Sequence, residues 1–145
     1  MKLAVSAWII WALLSACFAA LTAVLAKVGV AHVNPDAATW IRTVVILIVL
    51  SAMVIASGEI RSVAGASGRT YLFLALSGLA TGASWLCYFR ALSLGDAARV
   101  APLDKLSVVL IALFGVAFLG ERLSALNWLG IALIGAGAWL VTLRL

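Results

Sequence analysis

Arg42, Asp104 and Lys105 are charged side chains set well inside stretches of sequence that are otherwise apolar. A guanidinium and an ammonium can bind an anion, and a carboxylate can take up and release a proton. Inside a bilayer such a group costs about 2.5 kcal/mol or more, so it normally faces a protein interior or a wet cavity. Thr81, Trp85 and Tyr88 fall at i, i+4 and i+7, which is one face of a helix. Aromatic rings with polar handles suit a ligand cavity, and they suit ordinary packing equally well. Arg42, Trp85, Tyr88, Asp104 and Lys105 are therefore the candidate residues of a polar site.

Other chemistry is missing from the pattern. There is no nucleophile–base set, no phosphate-cradling loop and no spaced Cys/His cluster, so neither an enzyme nor a metal or other cofactor is expected. Cys17 and Cys87 lie in apolar runs and read as small packing residues, and His32 is alone. The ten Lys and Arg, against five acids, are scattered singly with no basic stripe, which argues against nucleic acid.

The elements that position these residues follow from composition. Of 145 residues, 66% are hydrophobic and 10% charged, far from the balance of a soluble domain. The excess apolar surface must face lipid or a partner. Uncharged runs cover residues 3–26, 43–58, 70–89, 106–120 and 123–143. A spanning helix needs roughly 20 apolar residues, so the second and fourth runs must borrow charged neighbours. Asn34-Pro35-Asp36 reads as a cap, a first-turn proline and an acid at the positive helix end; Gly95-Asp96 reads as a stop and a cap; Ser124 can cap the last helix. The expectation is an all-α integral membrane protein, a bundle of five transmembrane helices over about 5–28, 35–57, 70–94, 97–119 and 125–143. The first run is too long for a signal-peptide core, so it is read as a span.

The stretch from Tyr88 to Leu103, YFRALSLGDAARVAPL, resembles the third-to-fourth helix connection of EamA-type domains in the drug/metabolite transporter superfamily. Phe118 to Ser124, FLGERLS, is similar to that family's most characteristic turn, built here on Gly120, Glu121 and Arg122. The stretch 130–137 resembles its last helix, and Arg42 stands where the family often has an arginine. Most members carry two such units in inverted orientation; residues 1–145 look like a single EamA-like domain of the one-unit prokaryotic branch. The resemblance implies transport of small metabolites by alternating access in the cytoplasmic (inner) membrane. Small multidrug exporters, four-helix relatives, carry a coupling glutamate in helix 1. This helix 1 has no carboxylate, so Asp104 is the candidate for any proton coupling; its alternative is an ion pair with Arg99, Arg42 or Lys105.

Charge placement bears on topology and on the site. The N-terminal side receives Lys2, Arg61, Arg69 and Arg122; the other side has Lys27, Arg99 and Arg144, plus the deeper Arg42, Arg90 and Lys105. That is four against three, or four against six, with no clear bias to orient the chain. Dual insertion and antiparallel pairing would rebuild an inverted repeat; the alternative is a weak bias with orientation fixed by another component. Lys27, Arg42, Arg90, Asp104 and Lys105 share one leaflet, four cations against one acid, which suits an anionic group. Snorkelling to headgroups is the plainer reading, above all for Lys27 and Arg90 near helix ends. Gly78 and Gly82, with Gly130, Gly135 and Gly137, are small residues that let helices approach within a chain or between chains. The partners expected are the bilayer, a second copy of the chain in a homodimer, and a small-molecule substrate of anionic or polar character. An accessory subunit of a partner transporter or lipid-carrier flippase is the second reading. Reporter fusions at the C-terminus are expected to be active on both sides of the membrane; activity on one side alone would rule out dual insertion.

Overall fold

The computed structural model describes residues 7–143, and among them there is no strand. Seven helices follow one another: α1 Ala7–Gly29, α2 Pro35–Ala56, α3 Ile60–Ala64, α4 Gly68–Leu94, α5 Ala97–Asp104, α6 Ser107–Phe118 and α7 Ala125–Leu140. By length and composition α1, α2, α4 and the α5–α6 stretch Ala97–Phe118 can each cross a membrane, and α7 is a shorter apolar helix. At 1.5 Å per residue, a 30 Å hydrocarbon layer takes about 20 residues. α7 has 16, and a tightened turn prolongs it: Thr142 N–H bonds the Trp139 carbonyl and Leu143 N–H that of Leu140. The protein is an all-α, multi-pass membrane protein.

The described residues form two compact units. One is Leu25–Ser93. The other takes the residues up to Val24 with those from Leu94 onward, so the division falls inside α1 and at the end of α4. In the first unit the start of α2 is fixed locally. Asn34 Oδ1 accepts the Asp36 N–H at 2.9 Å, and Pro35 occupies the first helical turn, where a missing N–H costs nothing. Thr39 and Thr43 turn their hydroxyls back onto the carbonyls of Pro35 and Thr39, each at 2.8 Å, so neither hydroxyl needs water. Val30, Thr39, Phe89 and Leu92 are the buried side chains of this unit.

In the second unit α5 and α6 both pack on α7, with small residues, Ala112, Gly115 and Ala138, buried. Here the structure differs from the single helix expected over 97–119. Pro102 lacks an N–H, so the Ala98 carbonyl loses its usual donor. Three residues on, Lys105 N–H reaches Pro102 O and Leu106 N–H reaches Leu103 O, both 3.0 Å, and this i→i−3 turn separates α5 from α6. The loop expected at 58–69 also contains a helix, the one-turn α3. Around both units large apolar side chains lie open, among them Leu94, Phe118 and Leu126, as a lipid-facing surface requires.

The turn from α6 to α7 is closed by backbone geometry. Gly120 has φ +68°, and Glu121 N–H returns to the Gly115 carbonyl at 3.1 Å. Ser124 Oγ then accepts the Asn127 N–H at 3.2 Å and caps α7. A Cβ in the left-handed region costs about 1–2 kcal/mol. Gly120→Ala is therefore expected to lose about that much stability, read as a lower thermal midpoint in mild detergent, and Gly120→Val more.

Candidate substrate site

In the first unit the last turns of α4 carry Trp85, Tyr88, Phe89 and Leu92 on one helical stripe. Arg42, two turns into α2, lies against that stripe. Its guanidinium carbon is 4.1 Å from the centroid of the Trp85 ring and 5.7 Å from that of Phe89. A desolvated cation on an indole face gains about 2 kcal/mol, which offsets part of the cost of its depth. Tyr88 lies within electrostatic reach of the same guanidinium. Among the described residues no carboxylate or carbonyl is seen accepting a hydrogen bond from Arg42. Thr81, on the same stripe one turn earlier, bonds back to the Ser77 carbonyl at 2.9 Å.

The neighbouring cations of this unit have other partners. Arg90 forms a two-pronged pair with Asp36: Nε to Oδ1 at 3.2 Å and Nη2 to Oδ2 at 2.8 Å. Lys27 donates to the Leu92 carbonyl near the end of α4 at 2.7 Å, where a helix C-terminus favours a cation. Asp36 thus enters the charge balance of this end. Sequence reasoning places it only as a helix-start acid, and its pairing across 54 residues has no local signature.

Asp104 and Lys105 belong to the second unit. They pair with each other, Nζ to Oδ2 at 3.5 Å, at the turn between α5 and α6, and both are substantially exposed. Of the five candidate residues the structure thus brings Arg42, Trp85 and Tyr88 together in one unit and Asp104 with Lys105 in the other. Glu121 shows a contact that sequence reasoning misses. Its side chain folds back over Gly115, where a Cβ would come within 2.5 Å of Oε2. A glycine six residues before a glutamate is too common a pattern to flag this in advance.

The chain matches the model of the EamA-like transporter family over residues 6–143. It belongs to the EamA-like transporter family. Two relatives align along nearly all of this EamA-family chain. An "uncharacterized transporter in cobO 3'region" from Sinorhizobium sp is 69% identical over 134 residues, covering 92% of the chain and 95% of the relative. An "uncharacterized transporter" from Vibrio cholerae serotype O1 is 30% identical over 143 residues, covering 96% of the chain and 44% of the relative. No solved structure matches.

The small residues divide by what they meet. A Cβ on Gly135 would lie 3.2 Å from Val109 Cγ2, so this glycine sets the approach of α7 to α6. Cβ atoms on Gly78, Gly82, Gly130 and Gly137 would meet nothing within 4 Å. Gly135→Leu is accordingly expected to lower the thermal midpoint in a detergent that keeps the protein monomeric, since overpacking costs about 1–3 kcal/mol. Gly130→Leu and Gly137→Leu should leave the monomer midpoint unchanged, and a fall equal to that of Gly135→Leu would refute this division of the helix.

Proposed function

We propose that this EamA-family protein carries small metabolites of polar or anionic character across a prokaryotic cytoplasmic membrane by alternating access. In this reading residues 1–145 act as one domain and two copies form the pathway. One observation carries it. Arg42 is a cation two turns inside a membrane-spanning helix, held on an aromatic face, and among the described residues no acid is paired with its guanidinium. Arg90, near the end of α4, is by contrast neutralised by Asp36.

The lengths of the relatives support pairing. The Sinorhizobium protein is covered to 95%, so it has about the length of one unit, while the Vibrio protein is more than twice as long as its match. Two copies of this chain together approach the length of the longer relative. The open glycines of α4 and α7 offer smooth surfaces for such contact. Asp104 and Lys105, at the break between α5 and α6, supply a second charged position that a moving helix could expose alternately.

The test is uptake or counterflow of a metabolite panel by proteoliposomes, with oligomer mass measured in mild detergent. Wild-type protein is expected to run as a dimer and transport. Arg42→Ala and Lys105→Ala should abolish transport while membrane insertion and dimer yield are kept. Asp104→Asn should remove any dependence of transport on pH if this carboxylate carries the coupling proton. Wild-type rates in both alanine variants would overturn the site, a strict monomer that transports would overturn the pairing, and no transport without a partner protein would favour the accessory-subunit reading.

A further inference from the structure

We propose that Arg42 and Trp85 form an oxyanion site, that the group received there is a carboxylate or a phosphate, and that Trp85 is the positioning residue which makes an arginine necessary. This rests on the transport reading only in assigning the ligand to the pathway; the binding chemistry stands by itself. A guanidinium is flat, with its N–H donors in the plane and pointing outward from its edges. With its central carbon 4.1 Å from the centroid of the indole, the group is covered on one side by Trp85, and Phe89 at 5.7 Å flanks it. No carboxylate or carbonyl among the described residues accepts a hydrogen bond from Arg42, so donors remain available to a ligand. Two parallel N–H groups match the two oxygens of a carboxylate or phosphate, and in surroundings poor in water they have strong need of such an acceptor. A cationic ligand would leave them unpaired and add repulsion.

The surrounding groups narrow the assignment to Arg42. Asp36 takes the Nε and Nη2 donors of Arg90, so this pair is close to neutral and has little net charge to hold an anion. Lys27 has the Leu92 carbonyl, and an ammonium gives a point charge in place of a planar fork. Trp85 also limits rotation of the guanidinium. Without the ring, the long side chain could swing toward the headgroups, as arginines near membrane surfaces do.

The experiment uses the full chain, purified in a neutral detergent, titrated calorimetrically at constant ionic strength with inorganic phosphate, succinate and tetraethylammonium. Saturable binding of phosphate or succinate is expected, with none of tetraethylammonium. Arg42→Gln should abolish it. Trp85→Leu should weaken it by up to about 30-fold, the equivalent of the indole contact, and Arg42→Lys should weaken it through loss of the planar fork. Trp85→Tyr should restore most of the affinity. The double variant Asp36→Asn/Arg90→Gln should bind like wild type. Phosphate titrations in nanodiscs then distinguish the source: competition by phosphatidylglycerol, absent with phosphatidylcholine, assigns the site to a lipid headgroup, and equal affinity in both assigns it to a soluble metabolite. Absence of oxyanion binding in monodisperse wild type, or full binding by Arg42→Gln, would overturn the site, whether or not the protein transports. Full binding by Trp85→Leu would overturn the role of the ring. Binding without transport in proteoliposomes would instead leave the site standing and remove the transport reading.

Discussion

Hydrocarbon offers no hydrogen bonds, and each polar group that enters it must find a partner within the chain. In the Leu25–Ser93 unit this constraint accounts for most of the side-chain geometry. Thr39 and Thr43 bond their own helix, Asn34 holds the start of α2, Lys27 takes a carbonyl of α4, and Asp36 takes Arg90. Arg42 departs from the pattern: a ring face stabilises its charge and leaves its donors uncommitted. Around it Asp36 neutralises Arg90, while Lys27 keeps its charge on a carbonyl. That contrast is what the proposed site at Arg42 rests on.

What could be read in the sequence was local. Asn34-Pro35-Asp36 and Ser124 declare helix starts because a cap needs only the residues beside it. The uncharged runs declare spans because lipid demands length and apolarity alone. The break after Pro102 was visible as a proline and yet hidden, because counting apolar residues rewards one continuous helix over 97–119. Its tightened turn at Lys105 and Leu106 emerges only from the hydrogen bonds. The pairing of Asp36 with Arg90 joins residues far apart in sequence, and no spacing rule reaches that far. Likewise the glycines of α7 are equally plain in the sequence, but only coordinates separate Gly135, which faces α6, from Gly130 and Gly137, which face open space. The family resemblance over residues 88–137 pointed to the architecture, and the match over 6–143 bears it out.

Glu121 and Gly115 show how a surface turn can constrain the interior. The carboxylate lies where any side chain on residue 115 would sit, so the backbone of α6 and the start of the following turn share one volume. An alanine at 115 evicts the carboxylate, and a shorter side chain at 121 leaves a gap over the helix. The couple is loose, because an alanine at 115 asks only that the flexible end of Glu121 swing out. What holds the turn is the backbone return from Glu121 N–H to the Gly115 carbonyl, which any side chain other than proline at either position leaves in place.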